Sequence, residues 1–324
     1  MTLLLRQFPD PRRLTPLPKN EAYRRAFYAR WGVETCVVLA RTRHIEFPLF
    51  TQRLSIKCAS GGRERYLLTS PSREVDVDDD NYLIVNDART YGSRIASERE
   101  VESYSIFFRP GFAKEVRRAI DTPVGCALEG GCRTAESPEF QEFLQPHDRR
   151  ITPVLNYIRQ HVRLGVDDPA WYEEQLYFLL QRMIEHRQRV QRRVAELPVL
   201  RRTTKAEVYR RVMLAADYIH SHFDRDVRLD TLAAEACLSK YHFLRLFCQV
   251  MGVTPYAYLQ RKRARVAQQL IISTGATFDE IAPRVGFESR SSLFRQVRRW
   301  LGCNPSALRR NRGRGEGVEQ GQPR

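Results

Sequence analysis

The chain has 324 residues and a formal net charge of +16, from 54 Lys and Arg against 38 Asp and Glu. Hydrophobic residues make up 42% and aromatic residues 10%, which excludes a wholly disordered protein. The apolar runs are too short to cross a bilayer, and the run at residues 3–5 is too short for a secretory signal. The length and composition predict about two domains in a soluble, cytoplasmic protein.

The seven cysteines form neither a disulfide nor a metal pattern. Their number is odd, no Cys-x2-Cys occurs, and the closest pair, Cys126 and Cys132, has no second pair nearby. His44 is the only histidine before residue 147, so a histidine-rich iron or zinc site in the front half is not expected. No catalytic triad, phosphate-binding glycine loop or paired-carboxylate motif stands out. We therefore predict no metal, no cofactor and no catalytic residue.

Residues 34–110 alternate short apolar runs with turn signals. The runs are 36–39, 66–68, 82–85 and 104–108, and the turn signals are 61–62, Pro71 and 78–81. This pattern predicts β-hairpins in a barrel or sandwich. Two helices follow, with one apolar stripe over 151–162 and another from about Pro169 to Arg193. These stripes could build a homodimer interface or pack on the β-rich region.

The positive charge is concentrated in the back half. Residues 1–185 have a net charge of +1, 186–204 have +5, and 205–312 have +10. This distribution predicts a polyanionic partner for the back half. A membrane surface would need an exposed apolar helix face or a lipid anchor as well, and neither is evident, so no membrane partner is expected.

After residue 204 the sequence is helical in pattern. An amphipathic helix over 208–223 precedes Asp230, which offers an N-cap for a short helix. Ser239 caps the next helix, Gly252 ends it, and Pro255 begins a long helix to about Ser273.

The pattern then repeats at an interval of fifty residues. Six positions of the first unit match six positions of the second, in the same order. The first set is Ser239, Phe243, Arg245, Phe247, Gly252 and Pro255, and the second is Ser289, Leu293, Arg295, Val297, Gly302 and Pro305. The second short helix has a capping-box pattern over 277–280 and ends near Gly286, and Pro283 suggests that it starts late. Two copies of a short helix, a turn and a capped helix predict two helix-turn-helix units joined by the long helix.

Several motifs of the back half closely resemble the AraC/XylS family of transcription regulators. They lie at 239–247, 252–255, 258–259 and Arg263 in the first unit, and at 281–282, 286–287 and 302–305 in the second. Leu293 and Val297 depart from the pattern, which usually has Phe at these positions. The resemblance implies a cupin-like effector or dimerisation domain in front. It also implies an activator that binds double-stranded DNA and RNA polymerase and that could take a small-molecule effector.

The expected fold class is α+β, with an N-terminal cupin-like β-barrel domain followed by an all-α domain. The expected segments are the cupin-like domain with its helices at 1–195, a basic linker at 196–204, the AraC-type DNA-binding domain at 205–310, and a disordered tail at 311–324.

The second helix of each unit is expected to enter a DNA major groove, because residues near its N-terminus then reach base edges. The expected base contacts are Lys240, Tyr241, Leu244, Arg245, Arg290, Ser291, Phe294 and Arg295. Arg245 and Arg295 suit guanine, with a surface ion pair or a phosphate contact as the alternative. Leu244 and Phe294 suit a thymine methyl, with packing against the long helix as the alternative.

Phosphate contacts are expected from the N-termini of these helices and from nearby basic side chains. The residues are Ser239, Ser289, Arg261, Lys262, Arg298 and Arg299. A rigid connecting helix would place the two sub-sites about ten base pairs apart on one face of the duplex.

Two other functions compete with this interpretation. A DNA-repair methyl acceptor or another enzyme could be fused to the same kind of DNA-binding region, but four closely paired zinc-binding cysteines are missing from the front. An RNA-binding architectural protein would carry aromatic recognition patterns that are also missing.

Overall fold

The computed structural model describes residues 2–6, 8, 33–70, 72–121, 136–197 and 202–315. The chain divides into two compact units, residues 1–196 and 197–324, called here the β-unit and the helical unit. The predicted α+β class is therefore confirmed. No helix in the described ranges is long and apolar enough to span a membrane.

The β-unit is built on two long strands that pair along their whole length. Its strands are β1 Thr2–Leu5, β2 Thr35–Gln52, β3 Ser55–Ser60, β4 Glu64–Thr69, β5 Ser72–Val77, β6 Asn81–Val85, β7 Arg89–Phe107 and β8 Leu144–Pro146. β2 and β7 are antiparallel, with register shifts after Thr42 and Phe47. Such irregularities bend a strand pair and increase its twist, so the pair can run from one layer into another.

The sheet does not close into the predicted barrel. Its strand order is β1-β2-β7-β3-β6-β8, with β4 and β5 attached to the other half of β7. β7 pairs with β3 through 102–107 and with β4 through 91–94, so its free edge is divided between two groups of strands. Val75 of β5 and Leu83 of β6 belong to one buried cluster although these strands do not pair. Within the described residues the sheet is therefore an open, two-layered sandwich.

Three helices in the described part of the β-unit pack on the outer face of one layer. They are α1 Phe112–Asp121, α2 Thr152–Leu164 and α3 Pro169–Ala195. Leu155 and Ile158 of α2 and Leu180 of α3 share a buried cluster with Ile56 and Ile106 of the sheet. The two predicted stripes thus pack within the chain, and α1 is an element that the sequence pattern did not indicate.

The helical unit contains both predicted helix-turn-helix units. Its helices are α4 Arg202–His222, α5 Leu229–Glu235, α6 Lys240–Met251, α7 Pro255–Ser273, α8 Phe278–Arg284, α9 Arg290–Leu301 and α10 Pro305–Gly315. The predicted bounds of the connecting helix, α7, are confirmed. One buried cluster runs from Phe243 and Phe247 of α6, past Leu259 and Ile271 of α7, to Leu293 of α9.

Two local predictions are wrong. Asp230 does not cap α5, because the helix begins at Leu229 and Asp230 lies in its first turn. α8 does not start late: the Thr277 hydroxyl accepts the Glu280 N–H at 3.2 Å, and the Glu280 carboxylate accepts the Thr277 N–H at 2.7 Å. This complete capping box fixes the start, so Pro283 falls in the last turn.

The first and last helices of the helical unit extend past the expected bounds of the DNA-binding domain. α10 continues to Gly315, so the first residues of the predicted disordered tail are helical. α4 begins at Arg202, inside the predicted linker. Residues 198–201 and 316–324 lie outside the described residues.

The turns of the two helix-turn-helix units have the same backbone geometry. The Leu238 N–H donates to the Ala233 carbonyl at 2.9 Å, and the Phe287 N–H donates to the Ala282 carbonyl at 2.8 Å. The residue before each donor has a positive φ, +80° at Gly286 and +49° at Cys237. Glycine adopts this conformation without strain, whereas Cys237 is a non-glycine residue in the left-handed region.

Gly286→Ala should destabilise the helical unit by about 1–3 kcal/mol, because the left-handed backbone becomes strained. The new Cβ would also lie 2.8 Å from the Arg263 guanidinium, which is held by the Phe223 and Arg225 carbonyls. Urea unfolding of the full chain would measure the loss. Gly275→Ala is the matched control, because its Cβ would meet nothing within 4 Å and should leave stability nearly unchanged. Equal midpoints for the two variants would contradict this account.

Candidate nucleic-acid interface

The exposed face of α6 carries the four side chains that the sequence places there. Lys240, Tyr241, Leu244 and Arg245 are exposed, with Tyr241 81% and Leu244 38% accessible. Phe243, Leu246 and Phe247 occupy the opposite, buried face of the helix. A tyrosine and a leucine exposed beside two basic residues form a surface that combines positive charge with apolar contact area.

The exposed face of α9 is similar but not identical. Arg290, Ser291 and Arg295 are exposed, whereas Phe294 is only half-exposed. The Phe294 ring lies 4.9 Å from the Phe278 ring of α8, in an edge-to-face arrangement. Packing therefore accounts for part of the Phe294 side chain, and the ring that it contacts belongs to α8. An open concavity on this face is lined by Arg290, Ser291, Phe294, Arg295, Arg298 and Arg299.

Arg245 and Arg295 are the sixth residues of α6 and α9, so they hold the same place in the two units. Both are exposed, and within the described part of the chain neither makes a hydrogen bond or an ion pair. Each therefore presents a guanidinium with its donors directed to solvent. A planar guanidinium in this state can form two parallel hydrogen bonds with an acceptor pair.

Lys240 and Arg290, by contrast, already have carboxylate partners. Lys240 pairs with Asp230, and the Arg290 guanidinium lies 3.8 Å from the Asp279 carboxylate. Asp230 and Asp279 are the second residues of α5 and α8, so the two ion pairs are equivalent. All four side chains are largely exposed, and each pair contributes at most about 1 kcal/mol. Sequence reasoning missed these pairs, although the matching positions of the two aspartates were visible in the repeat.

The Arg290 guanidinium is also held against two rings. It lies 5.3 Å from the Phe278 ring centroid and 5.2 Å from that of Phe294. Cation–π contacts of this kind orient a side chain that is otherwise free to rotate. The start of α9 thus has ring contacts to its first basic residue in addition to the ion pair.

The residues expected at phosphates divide into two groups. Arg261, Arg298 and Arg299 are exposed, as are the N-cap residues Ser239 and Ser289. The Ser289 hydroxyl accepts the Ser292 N–H at 3.2 Å, while the Ser239 side chain makes no cap bond. The first N–H groups of α6 and α9 have no partner within their own helices.

Lys262 is the exception, because it is buried whereas a phosphate contact needs an exposed cation. Its residue surface is only 3% exposed, and its ammonium lies 5.4 Å from the Phe223 ring. On α7 the side chain of Arg261 faces solvent, while the next residue turns toward α4. A run of basic residues on a helix cannot all share its exposed face.

Arg263 of α7 joins the segment after α4 to the turn of the second helix-turn-helix unit. Its Nε donates to the Phe223 carbonyl and its Nη2 to the Arg225 carbonyl, both at 2.7 Å. Its guanidinium also lies against Gly286, at the turn of the second unit. Burial lowers the pKa of Arg263, and the two carbonyl acceptors offset the loss of water around its charge.

A buried polar contact supports the other side of α7. The His220 Nε2 and the Tyr258 hydroxyl are 2.9 Å apart, and they join α4 to α7. Burial raises the pKa of Tyr258, so the hydroxyl keeps its proton and can donate to the imidazole. The orientation of α7 relative to α4 is thus fixed by directional bonds as well as by apolar packing.

No group of three or more His, Cys, Asp or Glu side chains that could hold a metal ion occurs in the described ranges. Cys36 and Cys58 are buried free thiols of the β-unit. Burial raises the pKa of Cys58 to about 12, because a thiolate would lie in apolar surroundings. Cys126 and Cys132 lie outside the described residues.

Comparisons with known proteins agree with this architecture. A family model described as a helix-turn-helix domain matches residues 232–311. The probable transcriptional regulator LumQ of Photobacterium leiognathi is 34% identical over 95 residues, 29% of this chain and 38% of LumQ. The TetD protein of transposon Tn10 from Escherichia coli is also 34% identical over 95 residues, which cover 69% of that protein.

Among solved structures, the DNA-binding domain of the transcriptional factor AdpA, in complex with a target DNA, is 32% identical. The match covers 34% of this chain and 97% of that domain, with a TM-score of 0.31. The aligned part of the chain spans less than half the length of LumQ. The matched helix-turn-helix region, the motifs repeated at fifty residues and the identity with TetD together show that the chain belongs to the AraC/XylS family of transcription regulators.

Proposed function

We propose that this protein is a sequence-specific DNA-binding transcription regulator that reads two adjacent major-groove sub-sites. The observation that carries the proposal is the pair Arg245 and Arg295. They are exposed, have no partner in the described part of the chain, and hold the same place on two helices of a shared core. Basic side chains lie on the same exposed faces, Lys240 on α6 and Arg298 and Arg299 on α9, which favours a polyanion.

The geometry of the helical unit suits a duplex. A major groove about 12 Å wide accepts one α-helix, and residues in its first two turns reach base edges. The first two turns hold residues 240–245 in α6 and residues 290–295 in α9. The 19 residues of α7 make a spacer about 28 Å long, close to the roughly 34 Å of one DNA turn. This spacing predicts two sub-sites about ten base pairs apart on one face of the duplex.

The side chains would not contribute equally. Arg245 and Arg295 can each form a bidentate contact with guanine O6 and N7, and Tyr241 and Leu244 can contact thymine methyl groups. Lys240 and Arg290 must exchange an ion pair for each DNA contact, so their net contribution is smaller. Ser291 and the exposed edge of Phe294 complete the second reading surface.

Arg261, Arg298 and Arg299 would contact phosphates, as would the N-termini of α6 and α9 at Ser239 and Ser289. These contacts position the helices without specifying bases.

We further propose that the protein is not an enzyme and acts as an activator with RNA polymerase as its protein partner, which rests on the family resemblance. Zinc analysis of the purified chain tests the alternative of a fused zinc-dependent repair enzyme, which would contain stoichiometric metal.

Selection of bound duplexes from a random pool tests the central proposal. The full chain should enrich an asymmetric site with two conserved blocks centred about ten base pairs apart. Retention of all sequences alike, with only a salt dependence, would contradict it and would favour non-specific or RNA binding.

Arg245→Ala should cost about 1–3 kcal/mol of binding to the selected site and relax preference at one base position. Arg295→Ala should do the same at a position in the other block. Gln249→Ala is the control, because Gln249 is exposed on α6 one turn beyond Arg245. Competition binding against each single-base variant of the site is the measurement. An unchanged base preference in both arginine variants would remove these assignments.

Inserting five base pairs between the two blocks should weaken binding to the level of one block alone, since the second block rotates to the opposite face of the duplex. Inserting ten should also weaken it, because α7 has a fixed length. Titrations of the three duplexes with the full chain would measure this. Equal affinity for all three would mean that the two units are not rigidly joined.

Arg298→Ala should weaken binding to all sequences alike and lower the salt slope by about 1, as expected for one lost phosphate contact. Lys262→Met should leave both quantities unchanged, because Lys262 is buried and Met can occupy similar space. Binding at several salt concentrations distinguishes them. A reduced salt slope in the Lys262 variant would show that this side chain reaches DNA after all.

A further inference from the structure

The second helix-turn-helix unit differs from the first at three corresponding positions. They are the first residue of its short helix, the first residue of its second helix, and the fifth residue of the helix that follows. The first unit has Leu229, Lys240 and Leu259 at these positions, and the second has Phe278, Arg290 and Arg309. An aromatic ring and two guanidiniums thus replace two leucines and an amine.

In the second unit these three side chains lie against one another. The Phe278 ring centroid is 4.0 Å from the guanidinium carbon of Arg309 and 5.3 Å from that of Arg290. The Arg309 Nη2 also donates to the carbonyl of Ala276, two residues before α8 begins. A side chain of α10 therefore packs on Phe278, and Phe278 in turn lies against the first cation of α9.

A structural role alone does not account for Arg309. Its counterpart Leu259 is 4% exposed and belongs to the apolar core. The Nε of Arg309 is buried and has no hydrogen-bond partner among the described residues. Burying a donor without a partner is unfavourable, and a leucine at this place carries no such cost. The arginine supplies what leucine lacks, a planar cation that packs on the Phe278 ring.

The consequence of this packing falls on Arg290. Its guanidinium lies against the rings of Phe278 and Phe294, which are 4.9 Å apart and edge-to-face. A long side chain loses rotational freedom when it contacts a base, and one that is already held in position loses less. Lys240 has no such support from α5, because Leu229 stands in the place of Phe278 and has no ring.

We propose that Arg309 is a positioning residue for DNA recognition by the second unit. It holds Phe278, and Phe278 holds the Arg290 guanidinium in the orientation that its base contact requires. Arg309 acts from α10 and does not itself contact DNA. The inference rests on the proposed DNA-binding function, and it names a residue outside the exposed faces of α6 and α9 that determines base preference.

Arg309→Met in the full chain tests the proposal against the selected duplex and its single-base variants. Binding to the selected site should weaken about three- to tenfold, as expected when one long side chain must be ordered on binding. The preference should be lost at the base position that Arg290→Ala identifies, with the salt slope nearly unchanged. A uniform loss for all sequences with a lower salt slope would show that Arg309 contacts a phosphate, and would overturn the proposal.

Arg310→Met is the matched control. Arg310 is the next residue of α10, is exposed, and has no partner among the described residues, so its loss should leave the base preference unchanged. The same change of preference in this variant would mean that the positive charge of α10 matters and not the contact with Phe278, which would contradict the proposal.

Combining Arg309→Met with Arg290→Ala decides whether the effect passes through Arg290. The double variant should have the base preference of Arg290→Ala alone, since an absent side chain cannot be positioned. Additive losses in the double variant would overturn the proposed route. Phe278→Leu, which gives the second unit the residue of the first, should reproduce the effect of Arg309→Met and carries the same test if Arg309→Met fails to fold.

Urea unfolding of the full chain tests the contact itself without DNA. Arg309→Met and Phe278→Leu should be non-additive, with a coupling of about two- to fivefold in the folding equilibrium constant. Additive effects would overturn this inference and leave the proposed reading of DNA intact. A wild-type chain without any base preference would instead reject the reading of DNA, and the positioning role with it.

Discussion

The helical unit depends on the packing of both helix-turn-helix units against one helix, α7. Leu259, Ala264, Ala267 and Ile271 of α7 are buried in a core that receives Phe243 and Phe247 from one side and Leu293 and Val297 from the other. Burial of apolar surface is the main stabilising term in folding, and here it also fixes two recognition helices relative to each other. An interior packed to native density does not deform gradually, so the spacing of the two helices is a property of the fold.

Directional bonds refine what the apolar core sets approximately. Arg263 ties α7 to the end of α4 and lies against the turn at Gly286, while His220 and Tyr258 join α4 and α7. Position 286 requires glycine for two reasons. Its backbone is left-handed, and the Arg263 guanidinium occupies the space that a Cβ would take. The corresponding turn in the first unit uses Cys237 and carries backbone strain instead. The two copies of the motif are therefore alike in geometry but not in the way that geometry is stabilised.

The β-unit is organised around two long strands instead of a central helix. The long strands β2 and β7 bend between two layers, and helices cover one outer face while a polar and aromatic cavity lies on the other side of β3. Alternation along β3 sends Ile56 and Cys58 to the helices and Lys57 to the cavity. One strand thus faces a structural core on one side and a small space lined by aromatic and polar side chains on the other, because its side chains alternate.

Local signals in the chain were sufficient to predict the helices of the helical unit and the residues on its exposed faces. The fifty-residue repeat, the glycine and proline positions and the capping box gave both helix-turn-helix units and the bounds of α7, because these signals act within a few residues. The exposure of Arg245 and Arg295 followed from helical periodicity alone. Packing between separate elements determined the burial of Lys262 and the contact of Phe294 with Phe278. It also determined that two aspartates pair with Lys240 and Arg290. It also decided that the sheet stays open and that Lys57 and Glu64 meet in one cavity. These outcomes depend on which elements lie opposite each other, and pairing between distant strands and helices leaves no periodic signal in the chain.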